Sequence, residues 1–180
     1  QKRLFGDVPL AQPFFDSFRQ QYPGFDRWFN RKSDEAAYVC TEKDTVIAFL
    51  YLKVEGPGEN YSDILPPFAR KRRLKIGTFK VVLNAYKLGE RFLKILFDNA
   101  IRQRVDEIYV TVFPTTVEHL ALIRLLEDFG FKLHGKKRNE YGDESVYVRD
   151  MTPRYDAAHP RLTFPYISRS ARSFIVPIYP

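Results

Sequence analysis

Apolar positions recur along the chain at two periods, and the change from one to the other marks out its elements. Phe14, Phe15 and Phe18, then Phe25, Trp28 and Phe29, fall at helical spacing. They predict two short helices over residues 13–22 and 25–32, separated by Pro23-Gly24. Residues 35–42 and 45–55 read as a hairpin turning at Lys43-Asp44, and its second strand is rich in Val, Ile, Phe and Tyr as buried strands are. Residues 56–73 form a long connection holding Gly-Pro-Gly and Pro66-Pro67, and loops of that length in a compact domain are often functional. Residues 74–82 are a strand candidate, residues 84–89 a compact turn, and residues 90–102 an amphipathic helix with Phe92, Leu93, Leu96, Phe97, Ala100 and Ile101 on one face. A strand over 107–113 alternates Ile108, Val110 and Val112 and stops at Pro114. Thr115 or Thr116 can cap the next helix, 117–129, with Gly130 at its C′ position. Residues 131–137 and 145–149 make a terminal hairpin across a polar loop.

This order implies two parallel-type crossovers, one through each long helix, and hence an α/β class: a mixed, mostly antiparallel central sheet with helices on its faces. The expected domain covers residues 1–150. Residues 151–180 are proline-, arginine- and aromatic-rich without helical period, and read as an arm or a linker into a further segment. The chain starts at Gln1 and its one methionine is Met151, so it is expected to be part of a longer product.

Composition narrows the function classes. The longest apolar run, 46–52, is far short of the roughly 20 residues that span a bilayer. No charged-then-apolar leader opens the chain, so a cytoplasmic location without membrane contact is expected. Cys40 is the only cysteine and the three histidines are dispersed, which leaves no disulfide framework and no metal-ligand spacing. Net charge is +7, and residues 70–104 alone carry eleven basic residues against Glu90 and Asp98, a local +9. Such an excess points to a polyanion: a cofactor with several phosphates, or a nucleic acid such as tRNA. A strand followed by a tight turn and a helix N-terminus is a ready anion site, because the first amides of the helix have no partner within it.

The element order, the turn ending in Gly89 and the helix ending in Gly130-Phe131 resemble the GCN5-related N-acetyltransferase (GNAT) superfamily over residues 14–149. The family's Gln/Arg-x-x-Gly-x-Gly/Ala turn aligns with Asn84-Ala85-Tyr86-Lys87-Leu88-Gly89, where only the last glycine is kept and lysine replaces the first. Counting back from Gly130-Phe131 puts Leu126 where the family has a tyrosine, and His119 where it has an asparagine. The resemblance implies acetyl-coenzyme A as donor and an amine as acceptor. Phe79, Lys80 and Val81 of the strand would pair with the pantetheine amides. Asn84, Lys87, Leu88, Gly89, Glu90 and Arg91 would hold the pyrophosphate, with Lys87 and Arg91 adding charge. Lysine at 87 costs nothing if its φ is negative and is strained if φ is positive.

Amide formation needs a neutral amine. Baring a lysine-type amine at pH 7 costs roughly 4–5 kcal/mol, whereas an α-amine costs about 1 kcal/mol. Glu55 at the end of the hairpin strand, Tyr61 (with Asp63) in the long loop, and His119 at the start of the later helix are the candidate catalytic groups, as base or as proton donor to the leaving thiolate. With no strong base, the acceptor is expected to be an easily deprotonated amine, such as an aminoacyl-tRNA, which toxin-like members of the superfamily modify. A homodimer is a further expectation. The competing reading is a non-catalytic module on the same fold within a larger protein.

Overall fold

The computed structural model describes residues 1–82, 87–140, 142–151, 161, 162 and 164. Among them, β1 (Lys2–Leu4), β2 (Ala36–Glu42), β3 (Thr45–Glu55), β4 (Ile64–Leu65), β5 (Arg73–Val81), β6 (Glu107–Val112), β7 (Lys132–Asn139) and β8 (Gly142–Asp150) form one sheet in the order β1-β2-β3-β5-β6-β8-β7-β4. The helices are α1 (Asp16–Gln21), α2 (Phe25–Asn30), α3 (Leu88–Arg102) and α4 (Val117–Asp128). Every neighbouring pair is antiparallel except β5 and β6, which run parallel and are joined through α3. The second crossover, β6–α4–β7, is also parallel in direction, but β8 lies between the two strands it connects. This is the mixed, mostly antiparallel α/β sheet that the pattern implies.

Local chemistry accounts for the junctions. The β2–β3 turn places Lys43 and Asp44 at φ 45° and 66°, the two positive values that a primed hairpin turn demands. Of the two threonines before α4, Thr116 is the cap: its hydroxyl accepts from the His119 amide at 3.2 Å. Gly130, at φ 79°, ends the helix.

Two layers cover the sheet. On one face α3 and α4 bury Phe92, Leu93, Leu96, Phe97, Ile123 and Leu126 against Leu50, Leu74, Ile76 and Ile108. On the other, the N-terminal turns with α1 and α2 pack Phe5, Phe15, Phe25 and Phe29 onto Phe49 and Tyr51, with Phe5 and Phe29 centroids 4.6 Å apart. A smaller cluster, Ile64, Tyr109 and Val146 with Tyr61 and Phe68, sits beneath the 56–72 connection.

Three expectations need correction. Ile101 is not on the buried stripe of α3 but 47% exposed; at 100° per residue it lies about 110° from the stripe's centre. The supposed polar loop before residue 145 belongs largely to strands, since β7 runs to Asn139 and β8 starts at Gly142. The connection 56–72 contains the short β4, and the chain begins with β1, neither of which the pattern indicates. Both are two or three residues long and exist only through pairing with a distant strand.

Candidate active site

The sheet is open at its centre. β5 and β6 pair only from Arg73↔Glu107 to Ile76↔Val110, yet β5 runs on to Val81 and β6 to Val112. A bulge drives them apart: Tyr51 of β3 faces Thr78 while Leu52 faces Ile76, so Gly77 is an extra residue in β5. The bulge also shifts the side-chain phase, so that Leu74 and Ile76 share the α3 face with Phe79 and Val81 rather than with residues 78 and 80. Only glycine fits at 77, because a Cβ there would lie 2.5 Å from the Tyr51 ring.

The gap opens into a cleft of about 740 Å³, within the usual range for small-molecule sites. Ile76–Phe79 form one wall and Val110–Phe113 the other. α1, α2 and the β7–β8 hairpin close it on the sheet's second face, and His119 and Leu122 of α4 reach it from the first. An unpaired strand edge inside a cleft is a template for an extended, amide-bearing chain.

At the C-terminal end of the opening α3 begins. Helix geometry leaves the amides of Leu88, Gly89 and Glu90, in the first turn of α3, without an intrahelical acceptor. Lys87 precedes them at φ 57°, so the position does require a left-handed residue, and lysine there carries strain of about 1–2 kcal/mol. Gly89, the retained glycine, also serves packing, since a Cβ would lie 2.9 Å from Leu125 of α4. Leu88 is buried in the main core, the Glu90 carboxylate pairs with Arg161 at 3.3 Å, and Arg91 is exposed. Phe79 stacks on Phe92 with centroids 6.2 Å apart, and Val81 packs against the same core. Lys80 turns to the opposite face, where its ammonium donates to the Phe14 carbonyl and to Ser17 Oγ at 2.7 Å; only its backbone faces the opening. Asn84 lies outside the described residues.

The three candidate catalytic groups fall in two places. His119 lines the cleft, and its Nε2 is 3.2 Å from the Gln21 side-chain nitrogen. Where the Gln21 amide nitrogen donates, Nε2 accepts and the imidazole is the Nδ1-protonated tautomer. Burial holds the imidazole below its ordinary pKa, partly offset by the Phe113 carbonyl and by Glu118. Glu55 and Tyr61 come together beneath the loop, behind Lys53 and Lys75 of the cleft floor. Glu55 is 3% exposed and accepts from Tyr109 (2.6 Å), Tyr61 (3.0 Å) and Lys53 (3.1 Å). Burial raises its pKa, but these hydrogen bonds and the nearby Lys75 charge outweigh that, so it stays ionised below the ordinary carboxylate range. Burial, then the Glu55 charge, push the Tyr61 hydroxyl up to about 12. A carboxylate held by three donors is a weak base, and its tyrosine a reluctant acid.

Sequence reasoning passes over the polar centre of the cleft. Glu144, 5% exposed, accepts from Tyr22 Oη at 2.7 Å and from Asn139 Nδ2 at 3.1 Å. The signal is the alternation Glu144, Val146, Val148, which continues β8 through residues whose polarity suggests a loop. Lys75 stands on the same floor.

The Arg70–Arg73 tetrad is mostly engaged within the protein. Arg73 is 1% exposed, donates to Glu107 at 2.8 Å and lies 4.1 Å from the Phe68 ring centroid. Lys71 pairs with Glu107, and Arg72 donates to the Gln103 carbonyl at the end of α3.

No protein-family model matches the sequence, and no curated protein sequence matches it. Solved structures do. A GNAT-family acetyltransferase from Streptococcus agalactiae superposes with TM-score 0.52 and 13% identity over 83% of this chain and 94% of that one. Arabidopsis thaliana NAA60, in complex with a bisubstrate analogue, gives 0.54 and 14% over 82% and 95%. The ribosomal-protein-S18-alanine N-acetyltransferase of Escherichia coli gives 0.53 and 17% over 82% and 90%. With the splayed parallel pair, the bulge and the crossover helix all in place, the chain has the fold of the GNAT N-acetyltransferases.

Proposed function

We propose that the chain is an acetyl-coenzyme A-dependent N-acetyltransferase whose acceptor is a primary amine of low basicity. The observations that carry this reading are the opening between β5 and β6, which leaves a strand edge unpaired, and the helix N-terminus that follows β5 in the chain. The residues present fit the donor. The backbone of Gly77–Val81 offers an edge for the amide-bearing arm, and the amides of Leu88, Gly89 and Glu90 offer donors for the pyrophosphate, with Arg91 beside them. A bound donor supplies a thioester, whose acyl carbon is open to attack by an amine.

The protein's own groups then take simple roles. The cleft on the second face admits the amine towards Thr78 and Thr111, and the Glu144 carboxylate draws an incoming ammonium. His119 Nε2, which lies 3.2 Å from the Gln21 side-chain nitrogen, takes the proton that the amine gives up. A neutral imidazole of depressed pKa can do this for an amine that costs only about 1 kcal/mol to deprotonate at pH 7, and poorly for a lysine side chain. Neighbours of this fold whose names specify an acceptor include one acting on an alanine of a ribosomal protein. The α-amine of a chain terminus and the aminoacyl ester of a tRNA both meet the requirement.

The test is acetyl transfer, followed by mass spectrometry, to a panel of amines spanning pKa from about 7.5 to 10.4. Turnover is expected to favour the least basic members, and His119→Ala to lower kcat by about 10²-fold or more. Efficient transfer to lysine side chains would refute the low-basicity acceptor. Coenzyme binding without any transfer would leave a non-catalytic module on this fold.

A further inference from the structure

The cleft has a charge pattern that amide formation alone does not explain. Its lining carries Arg31, Lys32, Lys53, Lys75 and Lys137 against Glu140 and Glu144. Most of the lysines are satisfied: Lys32 by Glu35 at 2.8 Å, Lys53 by Glu55 at 3.1 Å, and Lys137 by Asp63 at 3.3 Å. Lys75 differs. It is half-buried at the cleft floor, its ammonium is 5.7 Å from the Tyr109 ring centroid, and among the described residues it makes no hydrogen bond or ion pair. Glu55, whose charge acts on Lys75, is already held by three other donors.

Burying an unpaired ammonium is costly, and a strand position between Leu74 and Ile76 could hold an apolar residue instead. Burial, with Lys137 and Lys53 nearby, accordingly depresses the Lys75 pKa against the pull of Glu55 and Glu144. The missing counter-charge is best supplied from the cleft. Lys75 faces Lys53 and Thr78 faces Tyr51, two residues apart on β3, which puts Lys75 roughly 7 Å along the strand from the open edge. That is the span of a few covalent bonds.

Resting on the acetyltransferase reading above, we propose that the acceptor is an acidic α-amine: a primary amine with a carboxylate a few bonds away, which docks against Lys75 while the nitrogen lies near the β5–β6 opening. A polypeptide beginning with Asp or Glu carries this carboxylate beside a weakly basic α-amine, and a free acidic amino acid carries it beside a more basic one. The Lys53 and Lys137 ammoniums reinforce it from both sides of the floor, and Arg31 from the mouth.

The experiment compares matched acceptors with the whole chain: the tripeptide amides Glu-Ala-Ala and Gln-Ala-Ala, and free glutamate and glutamine. The expected result is a kcat/KM for the acidic member at least 10-fold above its neutral partner in one of the two pairs, the pair identifying the source. Lys75→Met is expected to bring that ratio to within about 3-fold of unity, and Lys75→Arg to retain the preference. Equal use of acidic and neutral partners by the unaltered protein would overturn the proposal, whether or not the variants fold. A second arm needs no turnover: N-acetylglutamate or N-acetyl-Glu-Ala-Ala amide should raise the melting temperature, and the glutamine counterparts should not. If neither transfer nor acidic-product binding is seen, the proposal fails. Binding without transfer would retain the acidic site and overturn the acetyltransferase reading, whereas transfer without acidic preference would overturn only the role of Lys75.

Discussion

At the scale of single residues, environment decides between chemically equivalent candidates. Glu55 and Glu144 are both buried carboxylates, but Glu55 is tied to two tyrosines and a lysine beneath a loop, whereas Glu144 lines the cleft. Glu55→Gln should therefore cost mainly stability, about 2 kcal/mol by chemical denaturation, because the hydrogen bonds to a charged acceptor become neutral ones. The pH dependence has a definite sign. The folded-state pKa of Glu55 is depressed, so its contribution is complete above the ordinary carboxylate value and is lost as pH falls through the folded one. The variant should show a flatter decline of stability in acid than the parent. His119 is also depressed, so its neutral form is favoured in the folded protein, and the associated stability is present above about pH 6.5 and lost below it. As the proposed base, it should give kcat/KM an acid limb whose midpoint lies below 6.5, and His119→Gln should abolish that limb.

At the scale of elements, the bulge in β5 and the start of α3 shape the site. Gly77 lets the Tyr51 ring cross the strand, while the Tyr51 hydroxyl is fixed by Glu35 and Lys32. Gly77→Ala forces that ring aside, and a loss of about 1–3 kcal/mol in equilibrium unfolding is expected, together with weakened coenzyme binding by calorimetry as the opening distorts. Lys87 makes the converse point. Because φ is 57° there, Lys87→Gly should be neutral or stabilising by up to about 1 kcal/mol, and Lys87→Ile destabilising by about 1 kcal/mol or more. A thermal-melt comparison checks both, and a stabilising isoleucine would contradict the left-handed backbone.

At the scale of the whole molecule, the sheet is held between two cores and opened where they meet, which couples donor binding to stability. Saturating coenzyme A at about 100 times its Kd should add about 2.7 kcal/mol, a rise of about 5–10 °C for a chain of this size. No shift would remove the donor from the account. Among the described residues no helix is long and apolar enough to cross a membrane. Arg161 and Phe164 lie against the helical layer, Phe164 at 5.5 Å from the Phe97 ring, so the segment after β8 returns to the domain at those positions. The sequence alone determined what depends on near neighbours: the periods of α3 and α4, the Lys43-Asp44 turn, a threonine cap at 115 or 116, Gly130, and with them an order of elements that resembles one superfamily. Even the bulge has a local trace, in the phase shift from Leu74 and Ile76 to Phe79 and Val81. Only the tertiary structure decided what depends on partners far apart in the chain: the insertion of β8 between β6 and β7, the short strands β1 and β4, the internal use of Lys71 and Arg73 as counter-charges to Glu107, and the meeting of Tyr22, His119, Glu144 and Lys75 around one opening. Helical and turn preferences are set within four residues, whereas the charge balance and burial of a cleft follow from contacts that no local pattern encodes.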